Sequence, residues 1–116
     1  MTSTETVHYH DANDKSFARH LRKGAPEAFA KLLEFDDAAL RSESKVIPRK
    51  YTELMALAVA LTTQCVYCIE AHTKAAKSVG ATQEEVAETV LTAAALRAGG
   101  GVAHGFLAMK FFDGED

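Results

Sequence analysis

Hydrophobic positions along this chain recur at helical spacing, not at the alternation of a strand. Phe17 and Leu21 stand four apart, which predicts a short helix over 14–22 with Asn13 or Asp14 as cap and Gly24 at its end. Pro26 suits the first turn of a second helix, and Ala28, Leu32, Phe35 and Ala39 carry its apolar stripe to about residue 40. Residues 42–47 read as a connector. Pro48 opens a third helix to about residue 62, with Leu54, Met55, Leu57, Val59 and Leu61 on almost every side. A helix apolar all round is central or packed between subunits. Thr62, Thr63 and Gln64 break the pattern, and either threonine is a candidate cap for a fourth helix over 65–78, which Gly80 ends.

Thr82 and Glu85 form a capping-box pair for a helix over 83–98, whose apolar face is Val86, Val90, Leu91 and Ala94. Gly99, Gly100 and Gly101 then predict a flexible break or tight turn. A last short helix over 102–112 bears Phe106, Leu107, Met109 and Phe111. The pattern therefore predicts an all-α fold, a compact bundle of five or six helices. Residues 14–116 form one helical domain in this reading. Residues 1–13 lack periodicity and read as a flexible N-terminal arm, or one that orders on a neighbouring subunit.

Composition narrows the function classes. At 116 residues the chain is about one domain, and its 47% hydrophobic content is ordinary for a globular protein. A domain of this size has a high surface-to-volume ratio, which favours a homo-oligomer. The net charge of −3 offers nucleic acid no attraction. Lys15, Arg19, Arg22 and Lys23 read as a solvated helix face. The first ten residues are polar and lack the apolar core of a signal peptide, and the longest apolar stretch, 54–61, is too short for a membrane span. The expectation is a cytoplasmic protein without a membrane partner, whose thiols are kept reduced between turnovers.

The candidate chemistry lies in the only two cysteines, Cys65 and Cys68, spaced as a CxxC. Such a dithiol can cycle to a disulfide, and two cysteines alone cannot form a multi-bridge scaffold. On a helix their side chains meet, and Cys68 shares a face with His72, four residues on. The first turn of a helix favours a thiolate through its free N–H groups and dipole. Glu53 stands twelve residues before Cys65. A carboxylate beside a thiol raises the thiol pKa, so Glu53 is useful as a proton acceptor and not as an electrostatic partner. Blander readings stand beside this one. The cysteines could be buried and inert. With His72 they resemble half of a zinc site, although one helix is a poor clamp for three ligands. His72 alone would be a structural histidine, and Glu53 alone a solvated first-turn acid. Tyr67, between the cysteines, is either a core or interface ring or an accessory O–H donor to the site.

Glu53, Cys65-Val66-Tyr67-Cys68 and His72 together resemble the alkylhydroperoxidase D signature, Glu-x11-Cys-x2-Cys-x3-His, of the carboxymuconolactone decarboxylase-like superfamily. The segments 53–60, 71–76 and 79–86 fit as well, and the resemblance covers about residues 26–110. It implies an all-helical fold assembled as a homotrimer or homohexamer. It implies peroxide as substrate, a dithiol, thioredoxin-like or lipoyl electron donor, and no bound cofactor. Carried onto this chain, Cys68 matches the peroxidatic cysteine, Cys65 the resolving one, and Glu53 with His72 the proton relay. Where the best-known member has a histidine before the second cysteine, this chain has Tyr67. The decarboxylase branch does not rely on a CxxC, which argues against lactone decarboxylation. The function expected is thus a thiol-dependent peroxidase working through a Cys65–Cys68 dithiol/disulfide cycle. The alternatives are a general disulfide reductase and a non-catalytic, redox-responsive adaptor.

Overall fold

The computed structural model describes residues 9–114, and every regular element among them is helical. Residues 1–8 of the expected N-terminal arm lie outside the described residues. The chain divides into two compact units, Met1–Val46 and Ile47–Asp116.

In the first unit the Asp11 side chain caps the chain entry by accepting from Asn13 N–H at 3.0 Å, and Asp14 returns the favour to Asp11 N–H at 2.8 Å. The cap is therefore Asp11, earlier than the expected Asn13 or Asp14. It starts a 3-10 helix, Ala12–Phe17, which passes into helix α1, Ala18–Gly24. Helix α2, Pro26–Arg41, begins on its proline, whose missing N–H costs nothing in a first turn. Arg41 closes it by bonding Asp36 at 2.6 Å and Asp37 at 2.9 Å.

The second unit holds α3, Arg49–Thr63, α4, Val66–Ser78, and α5, Gln83–Asp113, with α3 packed on both of the others. The turn between α3 and α4 is very short. Gln64 adopts the left-handed conformation at φ 58°, and its N–H and that of Cys65 both return to Ala60 O, which satisfies an end carbonyl of α3. Thr62 and Thr63 do not cap α4. Their hydroxyls donate backward to Val59 O and Ala60 O, because α3 extends through both of them. Cys65 caps α4 instead, its Sγ accepting from Cys68 N–H at 3.3 Å. Gly80, at φ 96°, lets Ala81 N–H reach Ala76 O at 2.9 Å and ends α4 as expected.

Thr82 and Glu85 form a complete capping box at the start of α5. The expected break at residues 99–101 does not occur: α5 runs through all three glycines as one helix of 31 residues. Glycine weakens a helix by about 1 kcal/mol relative to alanine, but a break would strand backbone groups and demand a second costly nucleation. Two ties set α5 against α3. Lys50 Nζ meets Glu85 Oε2 at 2.9 Å, and the Arg97 guanidinium donates to Thr62 O. Both ties span the same sequence separation, so α5 runs parallel to α3, while α4 returns antiparallel along α3. The joined length also makes α5 the one helix among the described residues long and apolar enough, by length and composition, to cross a membrane. It nevertheless carries Glu84, Glu85, Glu88, Arg97, Lys110 and Asp113 and packs on α3.

Candidate redox site at the α3–α4 hairpin

The tight hairpin brings distant sequence positions together. Glu53 lies in the second turn of α3, and its side chain is 1% exposed. Its face continues through Leu57 and Ala60, both buried, as the seam on which α4 packs. Moving back from the turn along α4 by two helical turns reaches His72, opposite Glu53. His72 Nδ1 and Glu53 Oε2 are 2.6 Å apart. The long gap between Glu53 and the first cysteine is thus what a two-helix hairpin needs to place an acid on one helix against a histidine on the other.

The other carboxylate oxygen is also engaged. Arg49 Nε donates to Glu53 Oε1 at 2.7 Å, one turn earlier on α3. Burial pushes the Glu53 carboxyl up, but the hydrogen bonds from His72 and Arg49 outweigh it and hold the group below its ordinary pKa. Glu53 is therefore a buried carboxylate with both oxygens engaged. Sequence reasoning missed Arg49. Its signal was the i,i+4 spacing from Glu53, the helical distance at which a guanidinium reaches a carboxylate.

Cys65 and Cys68 are joined as a disulfide, their Cα atoms 5.2 Å apart, within the span such bonds bridge. Both sulfurs sit at the start of α4. Cys65 has two structural duties, since its N–H closes α3 and its sulfur accepts the Cys68 N–H. Cys68 lies inside the first turn, and His72 is the next residue on its face toward the C-terminus. Both cysteines are half-buried, whereas Tyr67 between them is 40% exposed. The structure thus brings Glu53 and His72 into direct contact and sets Cys68 one turn away on the same helix. Among the described residues no group of three or more His, Cys, Asp and Glu side chains is placed to hold a metal ion. A dithiol at a helix start, with an acid-held imidazole one turn along, can give up two electrons in closing to a disulfide and move a proton beside it.

Comparison with known proteins places these elements in a family. Residues 26–111 match the model of the carboxymuconolactone decarboxylase family. An uncharacterized protein encoded in the cox locus of Paracoccus denitrificans is 42% identical over 79 residues, which are 68% of this chain. The match spans 65% of that relative's own length. The crystal structure of an apo carboxymuconolactone decarboxylase family protein from Legionella pneumophila superposes with a TM-score of 0.65 at 28% identity, over 72% of this chain and 73% of that one.

Proposed function

This chain belongs to the carboxymuconolactone decarboxylase family, and we propose that it acts there as a thiol-dependent peroxidase cycling between a Cys65–Cys68 dithiol and disulfide. The observation that carries this reading is the buried Glu53 carboxylate bonded to His72, one helical turn from a closed CxxC disulfide. An inert cysteine pair needs no buried acid–histidine pair beside it. A redox-responsive adaptor needs only the cysteines.

The chemistry starts from the dithiol. His72, oriented by Glu53, takes the proton from Cys68, and the thiolate attacks the distal oxygen of a hydroperoxide. The O–O bond breaks, Cys68 becomes a sulfenic acid, and the leaving alkoxide or hydroxide takes the proton back. The Cys65 thiol then attacks that sulfur, water leaves, and the disulfide forms. A dithiol donor, thioredoxin-like or lipoyl in kind, reduces it by exchange and is itself oxidised. Cys65 at the helix cap is the sulfur that the donor meets. The site works as part of a homotrimer or homohexamer in a reducing compartment such as the cytoplasm. Exposed apolar side chains on α5, among them Leu91, Val102, Phe106 and Met109, support the assembly.

The test is peroxide consumption by the pre-reduced protein with several dithiol donors, beside Cys68→Ser. Turnover in the wild type with at least one donor, lost in Cys68→Ser, supports the peroxidase. A wild type that reduces protein disulfides with the same donors but consumes no peroxide refutes it in favour of a disulfide reductase.

A further inference from the structure

Arg49, Glu53 and His72 form a line that runs from solvent into the hairpin. The Arg49 side chain is 42% exposed, Glu53 is 1% exposed and His72 is 19% exposed. Arg49 Nε meets Oε1 at 2.7 Å, and His72 Nδ1 meets Oε2 at 2.6 Å. Water sets the surroundings of the two ends but barely reaches the middle.

The number of hydrogens held between Glu53 and His72 decides whether the imidazole can act as a base. With one hydrogen, a carboxylate accepts from Nδ1–H and Nε2 is bare, free to accept a proton. With two hydrogens, either the imidazole is charged or the carboxyl group donates to Nδ1. In both of those forms Nε2 already carries a hydrogen and accepts nothing. A buried carboxylate with no counter-charge draws the second hydrogen, because an unpaired charge is costly away from water. The Arg49 guanidinium removes that demand, since Arg49, Glu53 and a neutral His72 sum to zero charge. Elsewhere in this unit Lys50 pairs with Glu85 and Lys74 with Glu70.

We propose that Arg49 is the positioning residue that keeps His72 Nε2 free: its charge lets the buried Glu53–His72 pair hold a single hydrogen, on Nδ1. This rests on the reading above in which His72 takes the thiol proton. The contact runs through Nε, a single point on the guanidinium, so the ammonium of a lysine can replace it, whereas a neutral glutamine cannot.

Nitrogen-15 NMR of the His72 ring at pH 7 tests this directly, because a bare and a protonated ring nitrogen resonate far apart. The wild type should show hydrogen on Nδ1 and a bare Nε2. Arg49→Gln should place hydrogen on Nε2, and Arg49→Lys should restore the wild-type pattern. In parallel, alkylation of the reduced thiols at pH 7 should slow about tenfold or more in Arg49→Gln, toward the loss expected without a general base, and recover in Arg49→Lys. A wild type with hydrogen already on Nε2 overturns the inference without any variant. So does an Arg49→Gln ring that keeps the wild-type pattern. If the nitrogen signals behave as stated but no donor supports peroxide consumption, the peroxidase reading falls while the role of Arg49 stands.

Discussion

Replacing Glu53 by glutamine changes one atom and leaves helix propensity almost untouched. Its consequence follows from what lies on either side. Arg49 can only donate, so the new amide turns its oxygen toward Arg49 Nε and its NH2 toward His72 Nδ1. Nδ1 must then accept, and the hydrogen of a neutral imidazole moves to Nε2. The ring keeps its place but loses the nitrogen that takes the proton. The variant also loses the charge that stabilises the imidazolium formed on proton transfer. That interaction is about 4 kcal/mol for unit charges 4 Å apart at an effective dielectric of about 20, an upper bound here because Arg49 already offsets part of the carboxylate charge. A tenfold rate change is about 1.36 kcal/mol, so a loss of about 10²- to 10³-fold is expected at neutral pH, within the range for removing a general base. The assay is the rate of thiol alkylation, and of peroxide-driven disulfide formation, on the reduced proteins across pH. The defect should shrink as pH rises toward the thiol pKa, because hydroxide then generates the thiolate without a base. A Glu53→Gln protein that reacts faster than wild type near neutral pH would refute the relay. Glu53 would then act on the thiols only by like-charge repulsion.

Other consequences can be measured without a known substrate. Because its folded pKa is depressed, ionised Glu53 contributes stability above the unfolded carboxyl pKa, and this is lost as pH falls through the folded value. Acid denaturation should therefore be shallower in Glu53→Gln than in wild type, and equal pH slopes below about pH 4.5 would contradict the depressed pKa. Gln64→Gly should raise stability by about 0.5–1 kcal/mol in thermal unfolding, because glycine adopts φ 58° without the clash of a side chain. A loss of stability would mean that the Gln64 side chain makes a contact worth more than this strain. Light scattering of the native protein at micromolar concentration should give a trimer or hexamer, and a monomer mass would remove the proposed assembly.

The helical class and most element positions were legible because the apolar spacing, Pro26, Gly80 and the Thr82–Glu85 capping box each act locally. Gly80 takes a positive φ where a helix must stop, and the threonine box closes on its own N–H groups. What could not be read locally was continuity. Gly99, Gly100 and Gly101 permit a break but do not require one, and because the ties from α5 to α3 at Glu85 and Arg97 both lie before them, continuity rests on the helix's own backbone bonds. The caps at Asp11 and Cys65 moved for a similar reason, since each depends on where the preceding backbone turns. In the candidate site, the positions of Glu53, the cysteines and His72 were carried by their spacing. Their roles were not. Contact between Glu53 and His72 depends on the hairpin angle, and the share of the carboxylate held by Arg49 depends on burial, neither of which a linear spacing contains.

The uninterrupted α5 has unequal resistance to opening along its length. Among its described residues Ala93 is the one that is buried, and a Cβ added at Gly99, Gly100 or Gly101 would meet nothing within 4 Å. Three adjacent glycines cost the helix about 3 kcal/mol relative to alanine. Beyond them, in a single copy, the remaining turns are held by their own hydrogen bonds. In an unassembled copy, amide hydrogens should therefore exchange slowly around Ala93 and rapidly from Gly99 onward, and assembly through Val102, Phe106 and Met109 should slow the outer segment. In such a copy the second half of α5 can unwind while the α3–α4 hairpin stays intact, so Cys65, Cys68 and His72 keep their places as that half opens.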